Sequence, residues 1–214
     1  LYFVTQTREH GQVLESQPYA GLDQPAKLID KSLYDQISKT DYRKSLFNGP
    51  EGDKTASADT PGAARPYASR KFGYMAQWLQ DYIYMRASEM VLIEAESYAR
   101  MGDGAKAASV LGELMAKRDI AWKAASVTVD DVLLQRRIEL WGEGHGYYDL
   151  RRNGKGIDRN YEGSNHTPAN RIKVPAHDNL WWFQLPLKEI TENDMISEDE
   201  QNPWSKEQDN DKED

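Results

Sequence analysis

Apolar side chains recur at helical spacing in four parts of the chain. Over residues 26–38 the pattern predicts one helix that carries Leu28, Ile29, Leu33, Tyr34 and Ile37. The same spacing predicts helices over residues 82–101 and 105–118, and the sequence Gly102-Asp103-Gly104 between them is typical of a helix end followed by a turn. Residues 129–150 carry the fourth pattern, with Thr128 as the expected N-cap. The chain is therefore predicted to be all-α, with a helical hairpin at residues 82–118.

The apolar positions of the hairpin also predict which faces are buried. In the first helix the predicted core face consists of Ala87, Val91, Ala95 and Tyr98, with Met90 and Ile93 beside it. In the second helix the inward residues are Ala107, Ala108, Leu111, Leu114 and Met115. Ala95, Tyr98, Ala107 and Leu111 resemble positions of a tetratricopeptide unit, although its leading Trp and closing Pro are absent. Because about three such units are needed to bury the apolar faces, we expect neighbouring helices upstream or in another chain.

Outside the helices the sequence predicts long irregular loops and little β-structure. Residues 1–6 are predicted to form a short strand. Residues 7–27 and 48–66 are predicted to be loops because they are rich in Gly, Pro and small polar residues. Residues 180–187 (LWWFQLPL) are strongly apolar and are predicted to be extended, followed by a short helix at residues 189–195.

The densest pattern lies between Leu134 and Tyr148. Apolar or aromatic residues occur there at spacings of 4, 3, 4 and 3. This spacing places five residues on one stripe of a single helix: Leu134, Ile138, Trp141, His145 and Tyr148. We expect Trp141 and Tyr148 to be buried and to hold this helix against the hairpin, so that Trp141→Ala costs ~3–5 kcal/mol, as for large aromatics in cores. Glycines at positions 142, 144 and 146 interrupt the stripe, at ~1 kcal/mol each in a helix interior. They indicate either a close approach of another surface or the end of the helix.

The segment from Arg136 to Arg152 reads R-R-x-E-L-x-x-E-G-H-x-x-x-D-L-R-R and resembles the signature helix of the SusD/RagB family of outer-membrane nutrient-binding lipoproteins. The resemblance includes an Arg and a Glu at the start of the hairpin, and its structural signature comprises Arg86, Glu89, Arg137, Glu139, Trp141, Glu143, His145, Asp149 and Arg151. It implies that residues 1–204 are the C-terminal portion of an incomplete SusD-like domain, with an acidic tail at residues 205–214. The apolar start Leu1–Thr5 lacks the basic residues of a signal peptide and suggests a segment upstream.

The composition excludes several classes of function. The chain has a net charge of −8, a pI of about 5.1 and no run of Lys and Arg, so it carries no electrostatic footprint for nucleic acid. Cysteine is absent, which excludes disulfides, thiolate metal sites and a cysteine nucleophile. No apolar window approaches the ~20 residues needed to cross a bilayer.

The polar residues match no catalytic or metal-binding pattern, so we expect no enzyme, no cofactor and no metal site. Glu143 and His145 lack the paired histidines of H-E-x-x-H, and no second ligand lies at zinc spacing. A structural role is favoured for these residues and for Asp149, which is expected to pair with Arg151, Arg152 or a helix end.

Two further groups of charged residues have structural interpretations. Arg86 and Glu89 are spaced i, i+3 at the start of a helix and are predicted to form an ion pair. Glycoside hydrolysis requires two carboxylates across a cleft, whereas helical spacing scatters Glu89, Glu94 and Glu96 around the surface.

Aromatic residues outside regular structure are the candidate ligand contacts. Such rings stack on the C–H faces of sugars, although they can equally cover the gap between helices. The chain has five rings of this kind: Tyr67, Phe72, Tyr74 and Trp78, with Tyr19 in an earlier loop. From this set we predict ligand binding by Trp78, Tyr74 and Tyr19. The run Trp181-Trp182-Phe183 would form a sugar platform if exposed, but its apolar surroundings favour core packing.

The resemblance implies a non-catalytic protein that holds an oligosaccharide, or a peptide, at the cell surface. The implied partner is a SusC-like TonB-dependent transporter, over which such proteins close like a lid. The implied location is the outer membrane, with membrane contact only through a lipid anchor upstream of this chain. A tetratricopeptide-type scaffold for a partner peptide and, less favoured, a glycoside hydrolase remain alternative interpretations.

Overall fold

The computed structural model of the protein describes three ranges of the chain: residues 27–55, 64–71 and 85–203. The chain divides into two compact units, residues 1–146 and 147–214. The predicted strand at residues 1–6 and the acidic tail lie outside the described residues. The described residues are mainly helical, with long irregular segments and a two-stranded sheet, which confirms the predicted all-α class with minor β-structure.

The described residues contain six α-helices and one pair of short strands. In chain order the helices are α1 (Lys31–Gln36), α2 (Ala87–Arg100), α3 (Gly104–Met115), α4 (Val129–Glu139), α5 (His145–Arg152) and α6 (Leu187–Glu192). The second unit also contains β1 (Ile157–Asp158) and β2 (Lys173–Val174), which pair antiparallel. No helix in the described ranges is long and apolar enough to cross a membrane.

Helix α1 is shorter than the helix predicted over residues 26–38. It begins after Asp30, whose carboxylate accepts hydrogen bonds from backbone amides of the first turn. Leu28 instead pairs with Ala68 in an isolated antiparallel bridge. The predicted burial is nevertheless retained, because the α1 region forms a core cluster that comprises Ile29, Leu33, Ile37, Phe47, Tyr67 and Ile138.

Helices α2 and α3 form the predicted hairpin, and α2 also packs against α4. The turn between them is the predicted helix stop: Gly102 has φ +86°, and the Asp103 carboxylate caps α3 by accepting a hydrogen bond from the amide of Lys106. The inward face of α3 is confirmed, since the structure buries Ala107, Ala108, Leu111, Leu114 and Met115.

The buried face of α2 differs from the predicted one. Leu92 and Ala95 are fully buried, whereas Ala87 is exposed and Val91 is only partly buried. Positions 91–93 are consecutive apolar residues, so spacing alone does not determine which of them faces the core. Packing of α2 against both α3 and α4 places Leu92 inward and leaves Ile93 on the surface.

The predicted single helix over residues 129–150 is wrong, because the chain turns in its middle. Helix α4 begins as predicted, with a capping box between Thr128 and Asp131, and it ends at Glu139. Gly142 and Gly144 then adopt φ values of +78° and +85° before α5 begins. Side chains other than glycine rarely adopt this conformation, so these glycines mark a helix end and a turn.

Because of this turn, Trp141 and Tyr148 do not share a buried face. Tyr148 is 67% exposed, so its predicted burial is wrong. Trp141 is partly buried, and its ring lies edge-on to Phe47 with 5.0 Å between centroids. Trp141 therefore packs against the cluster formed around α1, not against the cluster inside the hairpin.

Alanine at either turn glycine should destabilise the protein. We expect Gly142→Ala and Gly144→Ala each to lower the free energy of unfolding by about 1–2 kcal/mol, the cost of a left-handed conformation for an L-residue. Gly146 lies in α5, and a Cβ there would meet no atom within 4 Å. Gly146→Ala is thus a matched control that should be neutral or stabilising by up to about 1 kcal/mol. Urea unfolding of the three variants measures the difference, and equal effects at positions 142 and 146 would contradict the assigned turn.

The apolar run in the second unit is not an extended strand. Asp178 caps a short 3-10 turn at Asn179–Trp181, and irregular chain leads from there to α6. Trp181 is buried, and its indole N–H donates to the carbonyl of Pro175 at 2.7 Å. Trp182 and Phe183 are exposed. The predicted core packing is therefore correct for Trp181 and wrong for its two neighbours.

Candidate functional site

A buried network of ion pairs in the first unit centres on Glu139, whose side chain is 3% exposed. Arg118 donates to both carboxylate oxygens, from Nη2 to Oε1 at 2.9 Å and from Nε to Oε2 at 3.0 Å. Arg86 Nη1 donates to Oε1 at 3.1 Å, and Arg43 Nη1 donates to Oε2 at 3.3 Å. One carboxylate from the last turn of α4 thus binds three guanidinium groups from separate parts of the sequence.

Arg43 is as buried as Glu139 and has a second acidic partner. Its guanidinium donates to the Asp41 carboxylate, with Nη2 to Oδ2 at 2.6 Å, and to Gln135 Oε1 at 2.5 Å. A buried charge is tolerated when it is paired and fully hydrogen-bonded. Asp41 and Glu139 provide that pairing, and they link the segment after α1 to α4.

The turn that follows α4 is held by two cations. Arg86 Nη2 donates to the Glu139 carbonyl at 2.8 Å and to Glu143 Oε1 at 2.7 Å. Lys71 Nζ donates to the carbonyls of Glu139 at 2.8 Å and Trp141 at 2.7 Å, and to the Glu143 carboxylate. The last carbonyls of a helix have no partner within the helix, and Lys71 and Arg86 supply partners here.

The network shifts the pKa of three of its members, and the hydrogen bond to Glu139 raises the pKa of the Arg118 guanidinium above its ordinary value. Burial alone would raise the pKa of the Glu139 carboxyl, but the hydrogen bonds and charge of Arg118, with the charges of Arg43 and Arg86, hold that pKa at about 2. Burial lowers the pKa of the Lys71 ammonium to about 8, although the Glu143 carboxylate opposes this shift. Glu139 is therefore ionised at neutral pH and has the wrong pKa for a general acid.

The predicted ion pair between Arg86 and Glu89 is wrong. Arg86 precedes α2 with extended backbone (φ −123°, ψ 142°), so its side chain does not lie over the first turn of the helix. It binds Glu139 and Glu143 instead. Glu89 Oε1 lies 3.6 Å from Arg136 Nη2 and 3.7 Å from His145 Nδ1.

The remaining signature residues occupy different environments. Arg137 is exposed, whereas its neighbour Arg136 is buried. Asp149 accepts a hydrogen bond from Arg152 Nε at 2.8 Å. Over residues 27–55, 64–71 and 85–203, no three His, Asp or Glu side chains come together as a set that could hold a metal ion.

The second unit carries a group of aromatic rings around Tyr147. The Tyr147 ring lies 5.2 Å from Tyr148, 5.2 Å from Phe183 and 5.8 Å from Trp181, measured between centroids. Its hydroxyl donates to the carbonyl of Trp181. Trp182 is linked to this group through Arg151, whose guanidinium lies over both the Trp182 and the Tyr147 ring. We call the exposed rings Tyr148, Trp182 and Phe183 the aromatic surface.

The residues predicted to bind ligand, Trp78, Tyr74 and Tyr19, lie outside the described residues, as does Phe72. Their role stays a prediction. Tyr67, from the same group of candidates, is buried in the α1 cluster, with its ring edge-on to Tyr34 at 5.4 Å. Tyr67 thus contributes to packing.

Sequence reasoning missed Arg43, Lys71 and Arg118 as members of the network. Each lies far along the chain from Glu139 and belongs to no motif, so local spacing gives no signal for it. The signal that exists is Glu139 itself, an acidic residue between Ile138 and Leu140 in an apolar stretch. An acid at such a position requires a basic partner, but the sequence does not say which.

The sequence also matches a known family. The sequence profile of the SusD family matches residues 74–204, which is more than half of the chain. The chain therefore belongs to the SusD family. No curated protein matches it.

Two solved structures from Bacteroides vulgatus ATCC 8482 share the fold. One is a SusD-like carbohydrate binding protein, with 24% identity, a TM-score of 0.59 and coverage of 83% of this chain and 44% of that chain. The other is a SusD superfamily protein, with 24% identity, a TM-score of 0.60 and coverage of 83% and 39%. The chain thus spans less than half the length of either protein.

Proposed function

We propose that this chain belongs to a non-catalytic protein that binds oligosaccharides at the outer surface of the outer membrane and delivers them to a SusC-like TonB-dependent transporter. Membership of the SusD family carries this proposal. The similar structure described as a SusD-like carbohydrate binding protein supports a glycan as the ligand class. A lipid anchor upstream of this chain would provide the membrane attachment.

The pairing of the two network carboxylates, Glu139 and Glu143, with basic side chains supports binding without catalysis. Glu139 is held ionised by three arginines, and Glu143 is bound by Arg86 and Lys71. A glycosidase requires one carboxylic acid that is protonated near neutral pH and a second carboxylate across a cleft. These two residues instead fix the turn between α4 and α5.

Calorimetric titration tests the proposal. Oligosaccharides prepared from plant and host polysaccharides would be titrated into the 214-residue chain, and we expect saturable binding of at least one of them. A peptide library of matched size serves as the control. Binding of peptides alone would support the alternative of a peptide-binding scaffold, and no binding of any glycan would contradict the proposed function.

A further inference from the structure

The three side chains of the aromatic surface expose much of their apolar ring area to solvent. Tyr148 is 67% exposed, Phe183 is 72% exposed and Trp182 is 48% exposed. Contiguous apolar area on a surface is costly unless it binds something. Rings of this kind bind sugars because they offer a flat apolar face beside polar groups.

Two of these rings, Tyr148 and Phe183, lie against the Tyr147 ring, and the third, Trp182, lies against the Arg151 guanidinium. The Tyr147 ring contacts Tyr148 and Phe183, and its hydroxyl is fixed by the carbonyl of Trp181. Trp181 is itself buried. The arrangement is therefore formed in advance of any ligand, which lowers the entropic cost of binding.

Arg151 adds a positive charge to this surface. Its guanidinium lies 4.8 Å from the centre of the Trp182 ring and 5.8 Å from that of Tyr147. Within the described residues its hydrogen bond goes to a neutral group, from Nη1 to the Tyr147 hydroxyl at 3.2 Å. The acid two positions earlier, Asp149, is paired with Arg152. The exposed Arg151 thus has no carboxylate partner in the described part of the chain and can bind one from a ligand.

We propose that the aromatic surface and Arg151 bind an oligosaccharide that contains a uronic acid or a similar carboxylated sugar. The C–H face of the sugar ring stacks on Trp182 or Phe183, and its carboxylate accepts two hydrogen bonds from Arg151, the geometry for which guanidinium is suited. The net charge of −8 gives the chain no general attraction for anions. Recognition of the carboxylate therefore depends on Arg151 itself. This inference rests on the proposed function and specifies its ligand class.

The first experiment compares acidic sugars with neutral sugars of the same ring structure. The probes are oligogalacturonides, alginate oligosaccharides and glucuronate-containing oligosaccharides, each beside its carboxyl-reduced form. Calorimetry and tryptophan fluorescence report binding to the 214-residue chain. We expect at least one acidic probe to bind. Its carboxyl-reduced form should bind with an affinity at least about tenfold lower, given the strength of hydrogen bonds to charged groups.

The second experiment uses variants and a matched control. Arg151→Gln and Trp182→Ala should each weaken binding of the acidic probe by about tenfold or more. Lys188→Gln makes the same change in charge on an exposed side chain of α6 and should leave affinity unchanged. If Trp182→Ala fails to fold by circular dichroism, Phe183→Ala removes a more exposed ring of the same surface.

The outcomes separate this inference from the proposed function. Equal affinity for acidic and reduced probes, or unchanged affinity in both the Arg151 and the aromatic variant, would overturn the inference while glycan binding stands. If no glycan of either kind binds, the proposed function fails as well.

Discussion

Replacement of Glu139 by Gln is expected to lower the free energy of unfolding by about 3–5 kcal/mol, the cost of removing one partner from a buried ion pair. The change keeps the size of the side chain but removes its charge. Arg43, Arg86 and Arg118 would then face a neutral amide, and Arg43 has almost no access to water. Urea unfolding followed by circular dichroism measures the loss.

A matched control is available on α2. Glu94 is exposed, so Glu94→Gln makes the same chemical change outside the network and should alter stability by less than about 0.5 kcal/mol. If the two variants lost equal stability, the buried network would not have the structural importance assigned to it.

The loss in Glu139→Gln should also depend on pH. The pKa of Glu139 is about 2 in the folded state, against an ordinary value of 4.5. This difference corresponds to about 3 kcal/mol at ~1.4 kcal/mol per pKa unit. Because the folded pKa is lowered, the contribution is fully present above pH 4.5 and is lost as the pH falls toward 2. The difference in stability between wild type and variant should therefore shrink across that window, and a constant difference would contradict the assigned pKa.

Trp141→Ala is expected to cost about 3 kcal/mol, at the lower end of the range for large aromatic residues. The ring is only partly buried, but it packs edge-on against Phe47. Tyr148→Ala is the matched control, since Tyr148 is largely exposed and loses only its contact with Tyr147, so it should change stability by about 1 kcal/mol or less. Thermal unfolding of both variants provides the test. An equal loss in the two would indicate that both rings share one core, as the continuous helix requires.

The sequence predicts the fold best where local chemistry and packing agree. The hairpin and its helix stop follow from apolar spacing and from Gly102, and the Thr128 cap follows from its hydroxyl and the acid three residues later. The break after α4 is harder to predict, because the apolar spacing continues through it and only the glycines contradict a helix. The glycines at positions 142 and 144 indicate the turn, whereas the apolar spacing indicates a continuous helix.

The ion-pair network is predictable only in part. Its acidic members Glu139 and Glu143 lie in the recognisable motif, whereas Arg43, Lys71 and Arg118 come from distant segments that the fold brings together. The aromatic surface shows the same limit. Whether Trp182 and Phe183 are buried depends on a turn initiated by Asp178, which the apolar run does not reveal.

The central claim, that the protein binds oligosaccharides without cleaving them, is tested most directly by recovery of the bound ligand. An oligosaccharide that gives saturable heat on titration would be incubated with the protein at equilibrium, released by denaturation and analysed by mass spectrometry. Our account predicts recovery of the full-length oligosaccharide with no new reducing ends. Shortened products that disappear after a single Glu→Gln change would contradict it.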